Sequence, residues 1–490
     1  MSTHESTTRE PASSGAFAVE TNGLNSIDAS ERTGRPSSLF WPWFGANVSV
    51  FGLAYGSFLL GFGISFSQAI IAGVIGIVVS FLLCGFVAIA GKRGSAPTLV
   101  LSRAAFGVNG NRVPSVLSWI LTVGWETALV SLATLATAQV FDQLGWSGGT
   151  ATKLVALLVV AALVVGGGVL GFDVIMRMQT VITWVTGILT VVYLVLVADH
   201  MDWSAVSALP SGSTAAFIGA LVLAMTGYGF GWVNAAADYS RYLPRQASTR
   251  GVVGWTTFGG ALAPVVLLIA GLLLAGSDSK LSAAIGLDPI GALGTILPTW
   301  FLVPFILVVV LGLIGGALLD IYSSGLSLLA AGLRVPRPVA ASIDGTLMVV
   351  GTIAVVFFAD NFIGPFQGFL ITLGVPIAAW CGVMLADIAL RKRDYAEPEL
   401  FDPRGRYGSV QPVPLALLVV GTVLGWGLVT NTFAGWLSWQ GYLLGVFGLG
   451  GKDGAWAYAN LGVLLAFLVG LVGTFVLRRS AVRAQEQLPA

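Results

Sequence analysis

Two carboxylates set deep in apolar segments offer most of the chemistry in this chain. Glu126, in VGWETALVS, lies about twelve residues into one segment, and Asp320, in GGALLDIYSSG, lies near the middle of another. A carboxylate at such depth in a bilayer costs about 2.5–3.5 kcal/mol on insertion scales, so it must face a cavity, find a partner or carry a proton. The functional reading makes both residues candidate proton carriers. The structural alternative is a protonated carboxyl that ties two helices together. Trp125 beside Glu126, and Phe230 with Trp232, present flat apolar faces that could sandwich a planar heterocycle while carboxyl or amide groups read its edge. Asn47, in WFGAN, adds such an amide, and Gly229 allows close backbone approach.

Composition says what must hold these residues. Of 490 residues, 56% are hydrophobic and 10% charged, and mean hydropathy is +0.87. Soluble proteins carry about 25% charged residues, so this is a polytopic membrane protein. A net charge of +1 gives no basis for a nucleic-acid partner. Cys84 and Cys381 lie in apolar runs and are too few for a disulfide framework or a thiolate metal site. The histidines, His4 and His200, fall in the N-terminal tail and a loop, so no histidine relay, metal site or cofactor is expected. Gly166, Gly168 and Gly171 satisfy GxGxxG, but without a strand–helix context the match carries no weight.

Residues 1–39 are rich in Ser, Thr and Glu and read as a disordered tail. Twelve runs are then long enough to cross about 30 Å of hydrocarbon, near 41–64, 67–90, 114–141, 151–171, 175–198, 214–236, 252–276, 299–332, 339–358, 362–390, 412–432 and 455–477. Residues 433–454 suggest an interfacial or re-entrant piece. With the N-terminus inside, all but Lys153, Lys280 and Lys452 of the 24 Lys and Arg fall in cytoplasmic segments. This positive-inside bias sets both termini in the cytoplasm, and an odd number of spans would scramble it.

Helix breakers then point to a site. The first run opens FWPWFGANVSVFGLAYG, and the sixth carries MTGYGFGWVNAAADYSRYLP, with Gly227, Gly229 and Gly231 within five positions. In lipid, such backbone survives only where it lines a protected cavity. If the fold repeats after five spans, the two interrupted helices match in inverted halves, the pattern of a transporter's substrate site. Gly52 with Gly56, and Gly312 with Gly316, read instead as close-packing positions. Asp238 and Asp387 end their runs beside arginines and read as solvated ion pairs, with Asp238 and Arg241 forming a cytoplasmic gate. Asp344 and Asp360 read as exposed at span ends, and Trp41, Trp43, Trp300, Trp436 and Trp439 as interface anchors.

WFGAN, GKRGSAPTLVLSRAAFGVNG, the GW of the third span, ADYSRYLP, LDIYSSGLS and FQGFLITLGVPIAAWCGVMLAD occur in order over about residues 38–480. Together they resemble the nucleobase:cation symporter-1 family, in its purine–cytosine permease branch. The resemblance implies an all-α, leucine-transporter-like fold of twelve transmembrane helices. Its first repeat would span 40–198 and its inverted second repeat 199–390. A cytoplasmic loop at 391–411, two appended helices within 412–477 and a tail at 478–490 would complete the chain. It implies alternating-access import of a purine, pyrimidine, hydantoin, allantoin or related heterocycle with Na⁺ or H⁺, in the plasma membrane. Trp125 would then stack on the substrate, Asp320 would stand where relatives bind it with asparagine, and a sixth-span aromatic would complete the sandwich. The chain departs from the family pattern at two places. Leu129 stands where relatives often have Gln or Asn, which Glu126 replaces unless it serves another purpose. Ile314 and Gly315 stand where sodium-coupled relatives have Ser and Thr. A hard cation wants several oxygen ligands, so protons are the expected coupling ion. A passive channel would need a continuous polar lining, and an enzyme a deep nucleophile–base pair; neither pattern is present. The expected partners are a small heterocycle and the bilayer, without an obligate protein partner.

Overall fold

The structure is a computed structural model and describes residues 19–359, 362–432 and 434–488. It is all-helical among those residues. The helices that position the site and its closures are α1 Phe40–Asn47, α2 Ala54–Leu60, α3 Phe66–Gly94, α4 Arg112–Gln143, α5 Thr150–Leu170, α6 Phe172–Leu196, α7 Thr214–Gly227, α8 Ala236–Ser240, α9 Thr249–Ser277, α10 Leu302–Ala330, α11 Arg337–Phe358, α12 Ile363–Leu390, α13 Pro412–Trp426 and α14 Leu461–Leu477. Nine helical segments among the described residues are long and apolar enough to cross a membrane, counting Thr214–Ser240 as one. The first expected run is a bent pair, Pro36–Asn47 and Val50–Leu60, whose axes differ by 72°. α13 is a shorter apolar helix, and α14 forms a bent pair with Arg479–Gln487.

Local chemistry sets several boundaries. Ser65 and Gln68 form a reciprocal capping box that starts α3. Ser213 and Ser248 cap α7 and α9 with their side-chain oxygens. The interruptions fall where glycine and polar residues predict them. α1 ends at Asn47, Ser49 is extended, and a 3-10 turn over Val50–Leu53 leads into α2. α7 ends at Gly227, and Tyr228 leaves helical geometry (φ −123°, ψ −103°) before one turn at Gly229–Trp232 and a 3-10 turn at Val233–Ala235. α10 lies at the centre, packed on α1, α4, α5, α6 and α11. α13 and α14 pack together, with α14 against α12.

Small residues permit these approaches. A β-carbon on Gly56 would strike the backbone of Gly271, and one on Gly312 would lie 2.9 Å from the Val48 carbonyl. The close-packing reading of those glycines therefore holds.

Several expectations are corrected. The disordered tail does not extend to residue 39. From Val19 the chain packs onto the Lys/Arg-rich end of the bundle, with Ile27 fully buried and its N–H bonded to the Ser95 carbonyl at 2.7 Å. Polar contacts, rather than an apolar run, hold it there. The stretch expected as a tail after 478 forms the helix Arg479–Gln487, whose Gln485 accepts from Arg391 at 2.7 Å. Asp344 is fully buried, because it lies seven residues into α11, where Trp119 of α4 and Ser324 of α10 pack over it. Asp387 does pair with Arg391, through two hydrogen bonds of 2.6 and 3.0 Å, but both side chains are buried rather than solvated. Trp43 is fully buried, whereas Trp300, Trp436 and Trp439 are exposed as anchors should be. Asp360 and His4 lie outside the described residues.

Candidate functional site

The two interruptions meet. A cavity of about 50 Å³ is walled by Asn47 and Ser49 at the first break, by Gly227, Tyr228 and Trp232 at the second, and by Trp125, Leu129 and Gly316 from α4 and α10. A water occupies about 30 Å³ in the liquid, so this space holds a few waters at most. A heterocycle enters only if the helices part.

Trp125 is held by packing on two sides, against Phe366 and Gly231. It packs edge-on against Phe366 at 4.9 Å, and its buried Nε1 has no hydrogen-bond partner. A β-carbon on Gly231 would come within 3.1 Å of that nitrogen, so the glycine lets the indole lie against the sixth span. Trp232 lines the cavity and meets Trp43 edge-on at 5.8 Å. Asn47 also lines it, its Nδ2 donating back to the Trp43 carbonyl at 2.8 Å. Leu129 does line the wall, which leaves that face apolar.

Two expected site residues face elsewhere. Phe230 is buried against Phe467 of α14, with ring centroids 6.1 Å apart. The Gly229 N–H bonds the Ser80 hydroxyl of α3 at 3.1 Å, where a side chain would collide. The irregular backbone at Tyr228 turns both away from the cavity and turns Tyr228 in. Tyr228 meets Tyr55 at 4.5 Å, and Tyr55 donates to the Gly227 carbonyl at 3.3 Å. In the sequence Tyr228 is one of several candidate rings with nothing to single it out, and Tyr55 carries no signal at all.

Glu126 and Asp320 are within one helical turn of the cavity-lining Trp125 and Gly316. Both are buried, and none of their four carboxyl oxygens has a hydrogen-bond partner. Asp344, Ser324 and Asp320 surround Glu126. Beside the cavity, α1 and α10 pack so closely that a β-carbon on Gly315 would strike the Gly45 carbonyl. The Gly315 carbonyl accepts from Gln179 Nε2 at 2.6 Å.

The pathway is closed unequally. Toward the end opposite the basic residues, a second cavity of about 940 Å³ is lined by Ser57, Phe62, Leu223, Ser282 and Gln367. Between it and the inner cavity stands the Tyr55–Tyr228 contact. Toward the basic end the closure is thick. Trp232, Trp43, Tyr239 and Tyr322 pack in succession at 5.4–6.0 Å, and below them Arg241 is fully buried. Arg241 does not pair with Asp238 by hydrogen bond. Asp238 accepts from the Thr98 backbone N–H (2.7 Å) and hydroxyl (2.8 Å), holding the 95–106 segment to α8. The partner of Arg241 is Glu20, at 3.3 Å, with the hydroxyls of Tyr322 (2.7 Å) and Tyr242 (3.1 Å) and the Gly23 carbonyl (2.8 Å) as its other acceptors. Glu20 also accepts from Tyr242 (2.6 Å) and from the Phe172 N–H at the start of α6 (2.8 Å), and it lies 3.5 Å from Arg337. An anion at a helix N-terminus meets the positive end of the helix dipole.

A small central cavity where two apolar spans are interrupted, closed toward both ends of the bundle, is the arrangement of a multi-pass membrane transporter. The chain belongs to the family of permeases for cytosine/purines, uracil, thiamine and allantoin, which it matches over residues 26–447. Among its relatives is YxlA of Bacillus subtilis (strain 168), by name a putative purine-cytosine permease, 23% identical over 89% of this chain and 93% of that one. The Saccharomyces cerevisiae purine-cytosine permease FCY2 is 25% identical over 47% of this chain and 43% of its own. In fold it is similar to Mhp1, a nucleobase-cation-symport-1 family transporter solved closed with bromovinylhydantoin bound, at a TM-score of 0.68. That similarity covers 96% of this chain and 97% of the other at 19% identity.

Proposed function

We propose that this protein imports a nucleobase or related planar nitrogen heterocycle, of the cytosine or purine type, by proton symport and alternating access. The observation that carries the reading is the cavity where two interrupted helices meet beside unpartnered Glu126 and Asp320. Trp125, with Tyr228 or Trp232, supplies stacking faces; base–aromatic stacking contributes about 1–3 kcal/mol per base. Asn47 and, after rearrangement, the two carboxyls supply edge contacts. Relatives named for purines and cytosine, and a fold neighbour that binds a hydantoin, support this substrate class.

Protons are favoured over Na⁺ by the packing at Gly315. A side-chain oxygen there would need α1 and α10 to separate, and the nearby carbonyl already receives the Gln179 amide. No cofactor enters beyond the co-transported proton. In this reading twelve spans, with α1–α2, α13 and α14 each counted as one, build two inverted repeats of five plus two appended helices. The basic end then faces the cytoplasm of the plasma membrane, with both termini, and Arg241 with Glu20 closes the inner gate.

Purified protein in vesicles tests this. An imposed ΔpH, acid outside, should accumulate labelled cytosine or purine without Na⁺. Competition by pyrimidines, purines, allantoin and hydantoins ranks the substrates. Accumulation driven by a Na⁺ gradient alone would overturn proton coupling, and equilibration without accumulation would make the protein a passive facilitator.

A further inference from the structure

Asp344 is a buried acid to which the transport reading so far gives no role. It lies two turns into α11, fully buried. Its Oδ1 accepts from Trp119 Nε1 of α4 at 2.7 Å, and its Oδ2 from the Ser324 hydroxyl of α10 at 3.0 Å. Both donors are neutral. The helices packed on α11 are α4, α5 and α10. From α4 it is faced by Trp119 and, two turns deeper on the same side, Glu126. From α10 it is faced by Ser324 and, one turn away, Asp320. At this level α5 contributes apolar Val165, beside Gly345. The nearest cation on its own helix, Arg337, is two turns off and engaged by the carbonyls of Gly168 and Val169 at 2.7 Å. No cation therefore offsets a charge on Asp344 among the described residues, and an isolated buried charge is strongly disfavoured.

The order along the pathway is as telling as the contacts. At 1.5 Å per residue, Asp344 lies about 10 Å from the start of its helix at the basic end, and Glu126 about 21 Å from the start of its own. Ser324 joins the two levels. It donates to Asp344 and faces the Glu126 carboxyl without meeting hydrogen-bond geometry to it. One turn nearer the basic end, the Ser118 and Ser327 hydroxyls meet at 2.9 Å, and Asn234 donates to Ser118 at 2.7 Å. A line of exchangeable groups thus leads from the mid-membrane acids toward the basic end, beside the substrate path rather than through it.

We infer that Asp344 is the inner station of a proton relay that empties Glu126 toward the cytoplasm through Ser324. The inference rests on the proton-symport reading. In the step, the Glu126 carboxyl gives its proton to Ser324 Oγ while the Ser324 O–H proton passes to Asp344 Oδ2. Glu126 is left as carboxylate, Asp344 as acid, and Ser324 neutral. Rotation of the Ser324 hydroxyl and release of the Asp344 proton inward reset the line.

The test separates net transport from exchange in reconstituted vesicles. Asp344→Asn keeps the shape and one acceptor oxygen. It should lower ΔpH-driven accumulation on the order of 10²-fold, the scale of a positioned proton-transfer group, and flatten its pH profile. Counterflow exchange of labelled for unlabelled substrate, which needs no net proton movement, should persist. Ser324→Ala, which spares the Trp119–Asp344 bond, should show the same split more mildly. Full ΔpH-driven accumulation by Asp344→Asn would overturn the relay, as would loss of counterflow together with accumulation, which would make Asp344 a packing residue. Wild-type accumulation that follows Na⁺ and ignores ΔpH would instead overturn the symport reading beneath it.

Discussion

Glu20 and Glu126 are both carboxylates removed from most solvent, and the protein treats them in opposite ways. Glu20, at the basic end, is gripped by two tyrosine hydroxyls, a backbone N–H, Arg241 and Arg337. Glu126, mid-membrane, has two oxygens without a partner. Full pairing makes a fixed anion suited to holding elements together. An unpaired carboxyl is stable only while protonated or while a substrate or water serves it. The same side chain is thus a clasp in one region and left without a hydrogen-bond partner in the other.

The largest effect that would sharpen this contrast is at Glu126. Glu126→Gln should reduce ΔpH-driven accumulation about 10²–10⁴-fold and leave counterflow measurable. Glu20→Gln should leave the dependence on ΔpH intact. Equal loss of coupling in both variants would break the comparison.

Next is Trp125→Ala, predicted to weaken substrate binding by about 1–3 kcal/mol, read as the apparent affinity in binding or counterflow. Tyr228→Ala and Trp232→Ala decide which sixth-span ring is its counterpart. An unchanged affinity in Trp125→Ala would remove the stacking role.

Glu20→Gln itself should loosen the basic-end closure. Removing one partner of a buried ion pair costs about 3–5 kcal/mol, and with the Glu20 side chain 11% exposed the loss falls at the low end of that range. Hydrogen–deuterium exchange would report it as faster labelling of the Ile27 amide, whose N–H bonds the Ser95 carbonyl. No change in labelling would mean the segment from Val19 is not a closure.

The smallest effect is at the surface pair Glu399–Arg406. The Arg406 guanidinium, bonding at 2.7 Å, holds the Glu399 carboxyl below its ordinary value of 4.5. Because the folded value is depressed, the contribution is complete above about pH 4.5 and is lost as pH falls through the lower folded value. For a pair at the protein edge with Glu399 28% exposed it amounts to about 0–1 kcal/mol. Thermal melts of wild type and Glu399→Gln should converge on acidification.

Part of the site is legible without the fold. Glu126 and Asp320 are readable because a charge deep in an apolar run is costly wherever it lies. Gly227, Gly229 and Gly231 are readable because glycines weaken a helix locally. Helical periodicity then fails at the break itself. After Tyr228 leaves helical geometry, residue spacing no longer tells which face a side chain takes, so the sequence favours Phe230 and Gly229 over Tyr228. Asp344 reads as exposed because it lies near the start of its apolar run, and only the packing of α4 and α10 shows Trp119 and Ser324 closing over it.

What the sequence by itself determined is therefore what depends on composition and local periodicity. That includes a polytopic helical membrane protein, its apolar runs, the two interruptions, the buried acids and Trp125. Tertiary structure alone decided which distant groups meet. Glu20 reaches Arg241 and Arg337 across more than two hundred residues of chain, Ser324 bridges toward Asp344 from another helix, and the Gly45 carbonyl occupies the space a side chain at Gly315 would need. The physical reason is range. Hydrophobicity and helix propensity act over a few turns, whereas partnering of a buried charge depends on whichever helices the packed bundle sets beside it.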